Sequence, residues 1–177
     1  MLKGEKVTLR PVEREDLKRI HELSQDVELS ILARSEYQPR SLAHWEKRFD
    51  KELEDEPAWF VIEADAHIIG DCGLHGLDRQ HGTAELGIAI WDRAFLGKGY
   101  GRDAINLLLE WAFDMQNWRR VWLKTLAPNE RAVRSYLACG FVEEGRMRQQ
   151  DFFHGKYVDV VVMGLLRSEW EARRRQP

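Results

Sequence analysis

Val7, Leu9 and Pro11 alternate with polar neighbours near the start of the chain, a period of two that predicts a short strand. The period lengthens over Asp16 to Leu23, where Leu17, Ile20 and Leu23 fall on one helical face. Ser41 has the hydroxyl to cap a second helix, along which Leu42, Trp45, Phe49 and Leu53 recur until Pro57 stops it. Strand chemistry then returns. Trp59-Phe60-Val61-Ile62 reads as a strand, Asp65-Ala66-His67 as a turn, and Ile68-Ile69-Gly70 as a strand running on through Cys72 and Leu74. Gln80-His81-Gly82 turns again into Ala84 to Trp91, so an antiparallel meander of three strands is expected.

The pattern changes from Gly101 to Met115. Ala104, Leu108, Ala112 and Met115 line one side of a helix, with Ile105, Leu109 and Phe113 beside them, so a broad face is expected against the sheet. Val121 to Thr125 is a strand again. Asn129 is placed to cap a helix carrying Ala132, Val133, Tyr136 and Leu137, and Gly140 suits the left-handed residue that ends it. Two closing strands, Phe141 to Phe153 and Tyr157 to Leu166, are joined through His154-Gly155-Lys156. The charged tail from Arg167 reads as a short helix or a frayed end. This order predicts an α/β fold, with a twisted mixed sheet of six or seven strands and four or five helices around it. No repeat or Pro/Gly/Ser-rich linker divides the chain, so residues 1–177 are expected to form one domain with its core over 6–166.

Composition narrows the function classes. The 27 Lys+Arg and 30 Asp+Glu leave a net charge of −3, which gives no global basic field for nucleic acid or anionic lipid. Cys72 and Cys139 make neither a disulfide framework nor a metal cluster, so reduced thiols and a cytoplasmic setting are expected. The first ten residues carry Lys3, Glu5, Lys6 and Arg10, with no apolar core of signal-peptide length, and no apolar run approaches the ~20 residues that span a bilayer.

The segment richest in chemistry is Leu96-Gly97-Lys98-Gly99-Tyr100-Gly101-Arg102, which follows a strand and opens the apolar helix. Alternating glycines let a backbone approach a ligand closely, and successive N–H groups at a helix start attract anions. Lys98 and Arg102 add positive charge, so a phosphate or pyrophosphate is the expected ligand. A glycine-rich loop with no ligand is the alternative that this heptapeptide alone leaves open. A Walker loop needs a different spacing, and the dinucleotide fingerprint needs glycine where Arg102 stands.

A second group lies downstream: Asn129, Ala132, Tyr136 and then Gly140-Phe141. With these two motifs in this order, the sequence resembles the GNAT acyltransferase superfamily from about Lys6 to Leu166. Its phosphate motif, Gln/Arg-x-x-Gly-x-Gly/Ala, falls on Leu96, Gly99 and Gly101, with Leu96 departing from the usual first residue. The branches of ribosomal-protein N-terminal acetyltransferases and spermidine acetyltransferases are similar in the segment Ala84 to Ile90 before the loop. The resemblance implies an acetyl-CoA-dependent N-acetyltransferase acting by direct transfer in a ternary complex, with no metal. It implies that Glu85–Trp91 and Arg120–Thr125 are parallel strands that splay to admit acetyl-CoA. Main-chain groups of Ile88, Ala89 and Ile90 would then meet the pantetheine arm and thioester, while the residues from Leu96 to Arg102 and Asn129 would hold the cofactor.

The amine must lose a proton before it can attack, and the departing thiolate needs one. Glu85, on the strand entering the loop, is the candidate base, against a purely structural role in a bulge or loop. Tyr136 is the candidate acid, against a core tyrosine on an apolar face. His75 and His81 fit no metal spacing, Cys139 reads as a packed thiol, and Arg173-Arg174-Arg175 as a solvated tail. The acceptor site would draw on Ser24 to Arg40 and Gln149 to Lys156, with Asp151, Phe152 and Phe153 as amine-pocket candidates and Trp45 as a further one. A protein N-terminal amine is the favoured acceptor, with a polyamine or small-molecule amine also open. A homodimer is plausible from the family. The alternative from another class is a non-catalytic acyl-CoA sensor on the same fold.

Overall fold

Leu9 pairs with Ile62 across neighbouring strands, although three helices separate them in the chain. In a computed structural model of the protein, residues 1–34, 38, 40–54 and 58–175 are described, and the helix end expected at Pro57 lies outside them. β1 (Leu2–Lys3) and β2 (Thr8–Pro11) lead into α1 (Asp16–Leu23), α2 (Val27–Arg34) and α3 (Leu42–Glu54). The meander follows as β3 (Ala58–Ala64), β4 (His67–Asp78) and β5 (Thr83–Ile90). After the glycine loop come α4 (Tyr100–Glu110), β6 (Arg120–Leu126) and α5 (Glu130–Ala138). β7 (Val142–Phe153), β8 (Lys156–Leu166) and α6 (Arg167–Arg174) close the chain.

The described strands form one sheet of eight in the order β1-β2-β3-β4-β5-β6-β8-β7. The strand beyond the expected six or seven is β1, whose two residues are too few to show a period. All neighbours are antiparallel except β5 and β6, joined through the α4 crossover. α2 adds a helix to the two expected before the meander.

Two cores fill the faces of the sheet. On one, Ile105, Leu108, Leu109, Ala112 and Phe113 of the α4 segment are fully buried against strand residues such as Ile62, Val121 and Leu123. On the other, α1 and α3 bring Leu17, Ile20, Trp45 and Phe49 onto Trp59 and Val61. Trp45 stacks on Trp59 with ring centroids 6.2 Å apart and is 1% exposed, so it belongs to this core and not to an acceptor pocket. Met115 also departs from expectation: Trp111–Met115 is a π-turn, with Gln116 N–H reaching Trp111 O. The wider turn shifts the helical register, and Met115 ends 58% exposed.

Polar contacts fix the ends. Asp16 at the start of α1 accepts from Arg10 at 2.6 and 2.8 Å and from the Glu13 N–H at 2.8 Å, while Arg10 also donates to Glu63 on β3. Burial, the largest single influence, pushes the Asp16 carboxyl up, but the Arg10 hydrogen bonds, the Glu13 N–H and the Arg10 charge together outweigh it and hold it below its ordinary value. The tail is docked as well: Arg173 donates to Ala138 O at 2.9 Å, Arg174 pairs with Asp114, and Trp170 is buried. Two arginines of the run expected in solvent therefore tie α6 down.

Candidate active site

β5 and β6 pair only over Thr83–Arg120, Ala84–Val121 and Glu85–Trp122. Both strands continue beyond that rung, β5 to Ile90 and β6 to Leu126, without pairing to each other. The sheet is therefore split at its centre, as the sequence resemblance implied, and a cleft of about 630 Å³ opens through it. Side-chain alternation divides the walls. Ala84 and Leu86 point into the α4 core, so Glu85, Gly87 and Ala89 face the α2 and α3 side.

On the α4 side the glycine loop forms one wall. Gly97 and Gly99 take φ of +73° and +91°, and Gly99 is the N-cap of α4 with no side-chain cap. The first-turn N–H groups are thereby left to a ligand, and nothing lies within 4 Å of where a Gly97 Cβ would stand. This open, electropositive backbone fits a pyrophosphate. Leu96, Gly97, Gly99, Gly101 and Arg102 line the cleft, whereas Lys98 and Tyr100 do not. Lys98 presents its carbonyl to Lys6 Nζ at 3.0 Å, and the Tyr100 ring packs edge-on against Phe95 with centroids 5.0 Å apart. Arg131 and Arg134 on α5 also reach the cleft, two cations that the sequence pattern did not single out.

Ile88, Ala89 and Ile90 lie along the unpaired stretch of β5, where their peptide groups have no β6 partner. Tyr136 projects from α5 into the same cleft and is 8% exposed, with Phe141 edge-on at 5.9 Å. Burial, reinforced by Cys139, pushes its phenol up to about 12, so it stays protonated at neutral pH. Cys139 packs 3.8 Å from Arg102 O, and burial lifts its thiol to about 11, which makes it no nucleophile. Asn129 caps α5 by accepting from the Ala132 N–H at 3.3 Å and donates to Leu32 O at 3.4 Å, so its amide also ties α2 across the mouth.

On the opposite side, Glu85 Oε1 lies 3.6 Å from Lys124 Nζ, an ion pair that reaches over the split from β5 to β6. α2 covers this side with Leu29, Leu32 and Ala33. Its start is held by Arg93, which donates to Asp26 at 2.6 and 2.9 Å and to Glu28 at 2.8 Å. Deeper in, Asp71 is buried and accepts from the indole N–H groups of Trp59 and Trp91. His75 lines the wall beside Glu85. By contrast, Asp151, Phe152 and Phe153 sit at the far end of β7 and do not line the cleft; Phe152 packs on Tyr157 with both rings largely exposed. No cluster of three or more His, Cys, Asp or Glu suited to a metal occurs among the described residues.

A family model described as an acetyltransferase (GNAT) domain matches residues 6–142. The chain belongs to the GNAT acetyltransferase family. The spermidine N(1)-acetyltransferase of Vibrio cholerae is 34% identical over 167 residues, 93% of this chain and 95% of that protein. A crystal structure of the Vibrio cholerae spermidine N-acetyltransferase with CoA and spermine matches with TM-score 0.87 and 33% identity, covering 95% and 99% of the two chains. A dodecameric structure of that enzyme, in an intermediate state, matches with TM-score 0.81 and 32% identity over 96% and 99%. This GNAT chain is thus an acetyl-CoA-dependent N-acetyltransferase, and the non-catalytic sensor alternative is set aside because the relatives are enzymes. These relatives are spermidine N-acetyltransferases, one of them seen with spermine, and so they favour the polyamine that the sequence left open over the protein N-terminal amine toward which it leaned.

Proposed function

We propose that this chain moves the acetyl group of acetyl-CoA onto a primary amine of a polyamine, by direct attack in a ternary complex. The observation that carries this is the split between β5 and β6 after Glu85–Trp122, which gives two ligands access to one point from opposite faces of the sheet. The α4 loop, with Arg102 and Asn129 nearby, holds the cofactor phosphates, and the freed peptide groups of Ile88, Ala89 and Ile90 hold the pantetheine and polarise the thioester carbonyl. Glu85 draws the proton from the amine through water. Tyr136 donates its hydroxyl proton to the leaving sulfur, a role its upward-shifted phenol keeps available. The polyamine acceptor is supported by the spermidine and spermine of the relatives. Residues 1–177 act as one acyl-CoA N-acyltransferase domain in this proposal.

Self-association belongs to the same proposal, supported by the dodecameric relative and by β7, an edge strand that leaves Val142, Met147 and Phe152 exposed. A cytoplasmic setting rests on Cys72 and Cys139, both unpaired by disulfide and buried. No described helix is long and apolar enough to cross a membrane. Competition between spermidine and a short peptide with a free N-terminus, read by product mass, tests the acceptor. Acetylspermidine should dominate, and preferential acetylation of the peptide would refute the polyamine assignment.

A further inference from the structure

Glu85 and Trp122 form the last rung that β5 and β6 share, and Lys124 follows on β6 where the sheet has already split. Val121 and Leu123 point into the α4 core, so Trp122 and Lys124 face the α2 and α3 side together with Glu85. Three side chains therefore meet at the start of the split. Lys124 Nζ lies 3.6 Å from Glu85 Oε1 and stands over the Trp122 ring, 5.3 Å from its centroid. An indole face attracts a cation within about 6 Å of its centroid, and the carboxylate adds the opposite charge. The corner is thus built for an alkylammonium, and the one it holds is the chain's own.

We propose that the Glu85–Trp122 corner is an alkylammonium subsite for the acceptor, which Lys124 occupies in the enzyme without acceptor and vacates when the acceptor enters. This rests on the proposed amine acetylation and deepens it by naming where an acceptor ammonium docks. The Lys124 contact has the form of a placeholder. At 3.6 Å it is an ion pair too long for a hydrogen bond, between side chains 45% and 29% exposed, and such pairs contribute little. Arg93, by contrast, holds Asp26 and Glu28 through hydrogen bonds of 2.6, 2.9 and 2.8 Å, a contact made to persist. Lys124 ends in the same chemical group as the acceptor, and its exposure leaves a way out to solvent.

An internal ligand weakens an external one by the fraction of time for which the subsite stands vacant. An acceptor must therefore offer more than a single ammonium to displace Lys124 readily. A polyamine does so, because its further ammonium groups and methylene stem can also meet Asp71 and the apolar side chains of Leu29, Leu32 and Ala33 in the same cleft. The displacing ammonium arrives at the carboxylate that draws its proton through water, so displacement precedes deprotonation. The exchange trades one ion pair for another and adds no covalent step.

The test is isothermal titration of spermidine into the full-length enzyme saturated with CoA, which carries no acetyl group to transfer. Lys124→Met removes the resident cation and should lower the spermidine Kd about 2- to 5-fold, with the CoA Kd unchanged. Lys124→Arg keeps a cation in place and should bind spermidine no more tightly than the wild type. Glu85→Gln and Trp122→Leu each remove one wall of the subsite and should weaken spermidine instead. Adding Lys124→Met to Glu85→Gln should bring no gain, because the two residues act at one subsite. Lys124→Gln repeats the measurement if Lys124→Met folds poorly. A spermidine Kd at or above the wild-type value in the folded Lys124 variants lacking a cation overturns the inference and leaves the acetylation standing. A wild-type enzyme that neither binds spermidine nor acetylates any amine overturns the underlying function instead.

Discussion

Gly99 and Gly101 sit two residues apart in the cofactor loop, yet the structure predicts opposite outcomes for the same substitution. Gly99 holds φ +91°, and its Cβ would meet nothing nearer than Lys6 at 3.7 Å, so alanine there is opposed by backbone conformation alone. That cost is about 1–2 kcal/mol. If the loop relaxes to avoid it, acetyl-CoA must restore the strained form on binding, and 1.4 kcal/mol is about tenfold in Kd. Gly99→Ala should therefore bind acetyl-CoA roughly 5- to 30-fold more weakly. Gly101 has no such φ, stands in the first turn of α4, and its Cβ would touch only Ile90 Cγ1 at 3.7 Å. Gly101→Ala should leave Kd within about twofold and raise stability by up to ~1 kcal/mol through helix propensity. Isothermal titration with CoA, alongside thermal unfolding of the free proteins, separates binding from folding. Equal Kd values for the two variants would refute the assignment of the Gly99 turn to phosphate binding.

Other perturbations probe the remaining parts of the site and fold. Tyr136→Phe should cut kcat about 10²-fold or more while sparing acetyl-CoA Kd, and loss of both would indicate a packing role. Because burial raises the Tyr136 phenol from 10 to about 12, its contribution to stability is complete below pH ~10 and is lost as pH rises toward 12. Alkaline unfolding should accordingly be steeper in the wild type than in Tyr136→Phe, by up to ~3 kcal/mol over that window. Arg93→Ala removes the contacts to Asp26 and Glu28 and should raise the acceptor KM several-fold with kcat little changed, read by steady-state kinetics. Asp16 is depressed by Arg10, so the stability it gives is present above pH ~4 and declines as pH falls; Arg10→Ala should flatten that acid limb in urea titrations. Phe113→Ala, in the fully buried α4 core, should cost about 3–5 kcal/mol by the same measurement.

Much of this architecture was legible in sequence because local signals agreed with the fold. The hydrophobic period changes at α1, α3 and α4, and the turn residues at Asp65-Ala66 and His154-Gly155 do fall between paired strands with positive φ. The Asn129 cap and the glycine loop were legible for the same reason, since their chemistry is local. What depended on long-range register was not. α2 escaped because Val27, Leu29 and Ile31 alternate like a strand, and the helix is held by Arg93 and Asn129 from distant segments. His75 fitted no metal spacing and gave no other signal, because nothing local showed β4 continuing to Asp78, which brings it opposite Glu85. Asp71 gave no signal at all, as its indole partners lie on other strands or beyond. Asp151, Phe152 and Phe153 were assigned to the acceptor from family position, whereas the β7–β8 hairpin carries them away from the cleft within one chain.

The most direct measurement is amine-dependent thiol release from acetyl-CoA, followed for the wild type and Tyr136→Phe across spermidine, lysine, an aminoglycoside and a short peptide with a free N-terminus. Saturable release with spermidine, much weaker release with the others and a large fall in Tyr136→Phe are the predicted results. Tight CoA binding with release on the peptide but none on spermidine would contradict the account.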